Sequence, residues 1–287
     1  MVLKSRWEAM KTPFNQFVSA LVLSATTLLG MPAFAVIELA PHRAVYDMVL
    51  YSAERGSGIS GARGKMIYSF RDGCDGWSSE TSVKLRLLYA EGDQVVTEWA
   101  FASWEAKDGK SYQFRTRQDR NGDTIENLKG KVERTAGGAA ATAVFSEPED
   151  TTIELPEGTL FPTRHLSDAF QAHKDGKIIF NGKVFDGASL DNPYEINVVM
   201  SRRTALGDSG RAEALDRMID KAGFANAQTA HYRLAFFNLG SRTEEPEFEL
   251  GVDYRSDGIA RFIRQDFGDF IIDLFLEEVE ALKKASC

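Results

Sequence analysis

The chain has 287 residues, 43% of them hydrophobic, and a formal net charge of −8 at pH 7. A chain this acidic is poorly suited to bind nucleic acid or an anionic membrane surface, so we expect no nucleic-acid partner. Its acidic residues are scattered rather than grouped in blocks, which is typical of a solvated surface.

The N-terminal stretch has the three parts of a secretory signal peptide. Residues 4–11 carry three basic side chains, residues 17–29 form an apolar run, and Ala33-Phe34-Ala35 offers a small-residue cleavage signal. The apolar run is shorter than the roughly 20 residues that span a bilayer. The alternative interpretation is a buried N-terminal helix.

We predict a signal peptide over residues 1–35 and an exported mature chain over residues 36–287 that does not span the membrane. Because the predicted signal peptide carries three basic residues and one acidic residue, the mature net charge is −10.

Alternation of apolar and polar residues dominates the mature chain. The first example, "RAVYDMVLY", places Ala44, Tyr46, Met48 and Leu50 on one face of a strand. Similar runs follow to the C-terminus, and pairs such as Asn121-Gly122, which favour tight hairpin turns, separate them. We predict roughly 12 to 14 strands, mostly antiparallel. A sheet of this size curls or closes to hide its edges, and the 19 phenylalanines fit either a filled core or a ligand pocket inside it.

Two segments have helical periodicity instead. "PTRHLSDAFQAHKDG" predicts a helix with Thr163 as its cap and Gly176 as its stop. "GDSGRAEALDRMIDKAG" predicts a second helix, capped by Asp208 or Ser209 and stopped by Gly223. We interpret "TAGGAAATAVF" and "SEPEDTTIELPEGTLFP" as flexible connections, the second being the best candidate for an internal boundary.

The chain contains two cysteines, Cys74 and Cys287, and the second is its last residue. Export would place both in an oxidising compartment, where an even number of cysteines indicates a disulfide. The alternatives are two free thiols or an intermolecular bridge. We predict the intramolecular bond, which would join an early turn to the C-terminus and so favours a single domain over residues 36–287.

Short motifs that resemble catalytic or metal sites have simpler interpretations. "GDSG" at residues 207–210 is similar to the nucleophile segment of trypsin-like proteases, but Ser209 precedes a helical pattern, where serine is an ordinary cap. "DRNGDTIEN" spaces Asp119, Asn121 and Asp123 as in a calcium loop. It lacks the glycine and glutamate that an EF-hand needs, which favours a hairpin turn.

The remaining polar residues define no reaction. We interpret each of the four histidines as structural, because none belongs to a metal-binding motif; they are His42, His165, His173 and His231. Carboxylates are plentiful, but a catalytic pair is defined by its separation across a cleft, which a sequence does not give; examples are Glu244, Glu245, Glu247, Asp266 and Asp269. We predict no catalytic residue, no metal site and no cofactor, and leave the ligand-binding residues open.

Four segments resemble the envelope integrity protein B (EipB) family of exported alphaproteobacterial cell-envelope proteins: "ELAPHRAVYDMVL", "GISGARGKMIYSFRDGCDGW", "LFPTRHLSDAF" and "DFGDF" with the terminal cysteine. The resemblance covers residues 39–287. It implies a periplasmic location, one large antiparallel β-spiral or half-barrel similar to periplasmic lipoprotein carriers, a disulfide between Cys74 and Cys287, and a role in envelope integrity under stress. The family offers no established catalytic residues. Cys287 ends this chain with no tail after it.

The leading functional hypothesis is a non-enzymatic periplasmic protein that supports envelope integrity. Its partner would be a lipid or lipoprotein ligand, or another periplasmic envelope protein, bound on a concave apolar β surface. The alternative is an enzyme that acts on envelope lipid or peptidoglycan through carboxylates in the same concavity. A third interpretation is a purely structural interaction protein with a filled interior.

Overall fold

The structure is a computed structural model that describes residues 37–134, 141–190, 193–207, 209–240 and 245–287. These residues form fourteen strands and two helices, and all fourteen strands belong to one antiparallel sheet. The sheet is open rather than a closed barrel. The predicted fold class, mainly antiparallel β with two inserted helices, is confirmed. The predicted signal peptide, residues 1–35, lies outside the described residues.

The first eight strands are β1 His42–Ala53, β2 Ile59–Asp72, β3 Gly76–Tyr89, β4 Gln94–Ala106, β5 Ser111–Arg120, β6 Asp123–Arg134, β7 Ala141–Glu147 and β8 Thr151–Leu155. Helix α1 Pro162–Lys174 follows, then β9 Ile179–Val184 and β10 Tyr194–Ser201. Helix α2 Gly210–Lys221 precedes β11 Thr229–Asn238, β12 Phe248–Arg255, β13 Ala260–Asp266 and β14 Phe270–Ala281.

The first and last strands pair with each other in the middle of the sheet. From this pair, one series of hairpins runs outward from β1 to β8, and the other runs from β14 back to β9. The sheet edges are therefore β8 and β9, which are neighbours in sequence. Leu160, just after β8, forms an isolated parallel bridge with Val184 at the end of β9. Its N–H donates to the Lys183 carbonyl at 2.7 Å, and its own carbonyl accepts from the Phe185 N–H at 3.0 Å.

The buried apolar side chains define an inner face of the sheet. On β2 this face carries Met66, Tyr68 and Phe70, which pack in two core clusters with residues of β10 to β14 and of both helices. A third cluster joins β5, β6 and β7 to Phe161 and Phe185. Each large apolar side chain that is fully buried stabilises the fold by about 1.5–3 kcal/mol.

The loop after β9 returns to β5 and covers this third cluster. The Tyr112 hydroxyl donates to the Asp186 carbonyl at 2.9 Å, and the Thr116 hydroxyl donates to the Gly187 carbonyl at 3.2 Å. Gly187 has φ +71°, and a Cβ there would lie 2.4 Å from the ring of Phe114. Only glycine fits this close approach of backbone to ring.

The prediction that Thr163 caps α1 is wrong. The cap position is Phe161, whose side chain makes no capping hydrogen bond, and Pro162 opens the first turn. The orphan N–H groups of Thr163 and Arg164 instead donate to the Glu105 carboxylate on β4, at 2.7 and 2.9 Å. Glu105 is only 2% exposed. Burial raises its pKa, and the hydrogen bonds from the helix partly offset that effect. Sequence reasoning favoured a local cap, whereas the fold supplies one from a distant strand.

The second helix begins as predicted. The Ser209 hydroxyl accepts from the Ala212 N–H at 3.3 Å, so it is the cap; Asp208 lies outside the described residues. Gly176 and Gly223, the predicted stops, follow the two helices with φ +82° and +87°. Helices often end at a residue in this left-handed conformation, and that residue is usually glycine.

Both segments predicted as flexible connections contribute strands. Residues 135–140 lie outside the described residues, but the rest of "TAGGAAATAVF" begins β7, where Ala141, Ala143 and Phe145 are buried. "SEPEDTTIELPEGTLFP" contains β8, which pairs with β7 along its length. These segments are rich in small and acidic residues, so the alternation of buried and exposed side chains was not evident in the sequence. Tertiary packing nonetheless buries one face of each strand. Neither segment is therefore a break in the sheet.

The C-terminal segment lies beside the β2–β3 turn. The Leu282 N–H donates to the Pro41 carbonyl at 3.0 Å, and Lys284 is paired with Glu38 at 2.6 Å. The Cα atoms of Cys74 and Cys287 are 5.6 Å apart. This separation is within the usual range for a disulfide.

Neither helix in the described part of the chain combines the length and hydropathy needed to cross a membrane.

Replacing Glu105 by Ala should lower the free energy of unfolding by about 1–3 kcal/mol, because two backbone N–H groups at the start of α1 lose their acceptor. Glu105→Gln, which keeps one carbonyl oxygen, should lose about half as much. Glu98→Ala is the matched control, since Glu98 lies exposed on the same strand and is paired with Lys84; it should cost under about 1 kcal/mol. Urea denaturation measures all three variants. Equal losses at positions 98 and 105 would contradict the cap.

Candidate functional site

A cavity of about 280 Å³ lies on the inner face of the sheet. Its walls include side chains of β4 and of β10, which are far apart in the strand order, so the sheet must curve around it. Helix α1 contributes Pro162, Thr163, His165 and Leu166 to the lining. The volume is at the lower end of the range for small-molecule sites.

An apolar strip on β3 and β4 continues from the cavity. We call it the inner strip; it consists of Val83, Leu85, Leu87, Trp99 and Phe101. All five side chains are only half-buried, although they lie on the face that carries the core. Trp99 and Phe101 also line the cavity, and their rings stack with centroids 5.7 Å apart. The strip therefore offers accessible apolar surface that runs into the cavity.

His42, the first residue of β1, lines the cavity and is 2% exposed. Its Nδ1 lies 2.7 Å from the Ala40 carbonyl, which must be the acceptor of that hydrogen bond. Burial lowers the pKa of His42, so the ring is neutral near pH 7. The proton is then on Nδ1, and Nε2 is an acceptor. Nε2 is buried and has no hydrogen-bond partner among the described residues.

His165 on α1 lines the same cavity and is 5% exposed. Burial lowers its pKa to about 4. The ring packs against Phe180, with centroids 5.3 Å apart, and lies over Gly182, where a Cβ would come within 2.9 Å of it. Its Nε2 also has no partner among the described residues. The cavity thus contains two neutral imidazoles.

Two tyrosines also line the cavity, together with the hydroxyl-bearing residues Ser79, Thr81 and Thr163. Tyr68 on β2 and Tyr254 on β12 both line the cavity, and neither hydroxyl makes a hydrogen bond within the described part of the chain. Burial raises the pKa of Tyr68 and raises the pKa of Tyr254 to about 12. Each hydroxyl belongs to a side chain that lines the same cavity. Both hydroxyls stay protonated and can donate a hydrogen bond.

Two carboxylates, Asp186 and Asp257, also line the cavity. Asp257 is neutralised by Arg255, whose Nη2 lies 2.8 Å from Oδ2. Asp186 accepts a hydrogen bond from the Ala188 N–H at 2.8 Å. Among the described residues, no lysine or arginine lines the cavity. An anionic ligand would find no opposite charge there.

The structure brings two of the four histidines to the cavity and leaves the other two elsewhere. The His173 ring packs against Tyr232, and His231 lies 2.8 Å from the buried Asp253 carboxylate. Asp253 also accepts from two backbone N–H groups of the loop at residues 205–206, so it holds that loop.

The described carboxylates among the examples from the sequence do not line the cavity; they are Glu245, Glu247, Asp266 and Asp269. Glu244 lies outside the described residues. Glu247 accepts from Asn238 at 2.8 Å, and Asp266 accepts from the Gly268 N–H at 2.9 Å. The "DRNGDTIEN" segment is the predicted hairpin turn, with Asn121 and Gly122 at φ +52° and +94°.

Sequence reasoning left the ligand-binding residues open, and the signal for them was weak. Trp99 and Phe101 belong to an ordinary alternating strand pattern, which predicts one apolar face but not whether another layer covers it. His42 and His165 stand near prolines in "APHR" and "PTRH". Nothing in those stretches alone shows that they meet across the fold.

We predict that His165 makes stability depend on pH. Its pKa is depressed from 6.5 to about 4 in the folded state, so its contribution is present above pH 6.5 and is lost as pH falls through about 4. The loss for His165 is on the order of 3 kcal/mol. His42 acts in the same direction. Urea denaturation between neutral and acidic pH should show a shallower slope for His165→Asn than for the wild type. Identical slopes would contradict this prediction.

Comparisons with known proteins agree on one family. The EipB-like family model matches residues 33–283. The cell envelope integrity protein EipB of Brucella abortus (strain 2308) is 27% identical over 241 residues, which cover 83% of this chain and 82% of that protein. A crystal structure from Brucella abortus, described as a beta-barrel-like protein of domain of unknown function DUF1849, is similar with a TM-score of 0.77 and 25% identity. That match covers 86% of this chain and 100% of the other. Since the family model spans nearly the whole described chain, this protein belongs to the EipB-like family.

Proposed function

We propose that this protein is a non-enzymatic periplasmic protein that supports cell-envelope integrity by binding a lipid, a lipoprotein segment or another envelope protein on its inner face. The observation that carries the proposal is the inner strip, which keeps five apolar side chains half-buried and continues into the cavity. Contiguous apolar surface that a fold leaves accessible is characteristic of a binding site.

The name of the Brucella abortus relative, a cell envelope integrity protein, supports the cellular role. The contrast with the β5–β7 region supports the binding role. There the inner-face residues Tyr112 and Phe114 are fully covered by Phe161 and Phe185. The same face on β3 and β4 is only partly covered among the described residues, so its rings and aliphatic chains keep surface that can contact a ligand.

The enzymatic alternative has less support. Hydrolysis by paired carboxylates needs two that face one substrate with separated pKa values. Of the two carboxylates at the cavity, Asp257 is held by Arg255. Glu105, which is buried nearby on β4, is engaged with the N-terminus of α1.

The proposal includes export and an oxidised cysteine pair. Cleavage after Ala35 would release a mature single domain over residues 36–287, with Cys74 joined to Cys287. The placement of the C-terminal segment against the β2–β3 turn supports this pairing. The bond would link residues 213 positions apart and so restrict the unfolded chain.

Cys74→Ser and Cys287→Ser should each lower the free energy of unfolding by about 2–5 kcal/mol, because the cross-link restricts the unfolded chain. Thermal melting and protease resistance measure the loss, and wild-type protein under reducing conditions is the control. The denatured mass of the oxidised monomer should lie two hydrogens below the reduced value. An unchanged melting temperature in Cys74→Ser would overturn the stabilising role.

Native mass spectrometry of protein purified from the periplasm tests ligand binding directly. We expect a co-purifying mass that denaturation releases as a lipid or lipidated peptide. Phe101→Glu, on the inner strip, should abolish it, because a charge there would be desolvated by the ligand. Ala102→Glu is the matched control, since Ala102 is the next residue on β4 and lies exposed on the opposite face; it should keep the ligand. Equal occupancy in both variants would place the ligand elsewhere.

A further inference from the structure

We infer that the cavity selects an uncharged lipid whose polar group both donates and accepts hydrogen bonds, such as a hydroxyl or a secondary amide, over fatty-acid or phosphate anions. This inference rests on the proposed function, because it names the ligand class for the same site. It follows from which polar atoms of the cavity have partners and which do not.

The acceptor side of the site is His42. Its Nδ1–H donates to the Ala40 carbonyl. In the neutral ring Nε2 therefore carries a lone pair that can accept a hydrogen bond, but no donor among the described residues reaches it. An acceptor buried without a partner costs about 1–3 kcal/mol. A ligand hydroxyl or N–H that reached this atom would recover part of that cost, whereas a carboxylate or phosphate monoanion has no proton to offer.

Tyr68 and Tyr254 supply hydrogen-bond donors to the site. Both side chains line the cavity, and neither hydroxyl makes a hydrogen bond within the described part of the chain. They remain protonated at any physiological pH, since burial raises the pKa of each. A ligand oxygen can accept from either hydroxyl. A hydroxyl or a secondary amide uses both sides of the site, while a hydrocarbon uses neither and would leave these groups unsatisfied.

Charge excludes the common anionic amphiphiles from this position. No lysine or arginine lines the cavity in the described part of the chain, and Asp186 and Asp257 already supply carboxylates to its wall. Burying an ionised head group without a counter-ion is strongly unfavourable. A cationic head group is disfavoured too, because Asp257 is already paired with Arg255.

Displacement of the nonionic fluorescent probe N-phenylnaphthylamine from the mature, oxidised protein tests the inference. Dodecanol, N-methyldodecanamide and dodecanoate have comparable chains and differ in the polar group. At mildly alkaline pH, where dodecanoate is ionised, we expect the alcohol and the amide to displace the probe at concentrations at least tenfold lower. Equal displacement by all three, or stronger displacement by dodecanoate, would overturn the ligand class while leaving the proposed apolar site intact. Failure of the probe and of all three compounds to bind would instead overturn the proposed lipid site, and this inference with it.

Single-hydroxyl variants identify the polar contacts. Tyr254→Phe should weaken dodecanol binding about tenfold, the equivalent of one hydrogen bond, and leave probe binding unchanged. Tyr232→Phe is the matched control, because its ring centroid lies 5.8 Å from that of Tyr254 but it does not line the cavity; it should bind dodecanol as the wild type does. Equal dodecanol affinities for Tyr254→Phe and wild type would contradict the donor role of Tyr254.

Discussion

The pairing of the first strand with the last is the constraint on which the rest of the structure depends. β1 and β14 run antiparallel from His42 opposite Ala281 to Ala53 opposite Phe270, with two irregularities in register. Bringing together residues more than 200 positions apart carries a loop-closure cost that no local hairpin bears. Once β1 and β14 have paired, the remaining strands add outward on both sides, each pairing with a strand that is its neighbour in sequence. The first and last strands of the described chain therefore lie in the middle of the sheet.

This pairing also creates the cavity. Tyr68 comes from the series of strands that leads away from β1, and Tyr254 from the series that leads away from β14. The two side chains line one cavity only because both series start at one central pair and curve to the same side. His42, at the very beginning of β1, lies between them in the strand order. The proposed ligand site thus depends on the same pairing that closes the fold.

The sequence carried most of the fold and little of the site. Alternation in segments such as "RAVYDMVLY" predicts strands because one side of each is buried. β7 and β8 were missed because alanine, threonine and acidic residues give a weak contrast between faces. The cap of α1 was missed for a different reason: Glu105 lies 58 residues before Thr163, and only tertiary structure brings the two together.

The cavity residues come from eight strands, a helix and the segments beside them. Each looks like an ordinary core position in its own segment, so no local pattern could distinguish them.

The contact between the two sheet edges differs from a normal strand ladder. In the described part of the chain, a single parallel bridge at Leu160 and Val184 joins them, with two backbone hydrogen bonds. Widening a closed barrel would break all the backbone hydrogen bonds between two paired strands. Separating these two edges would break two backbone hydrogen bonds, each of which contributes about 1 kcal/mol net to stability. Packing of Phe161 and Phe185 against β5–β7 and two side-chain hydrogen bonds to the loop after β9 also hold this region, so the contact between the edges depends on side chains more than on a backbone ladder.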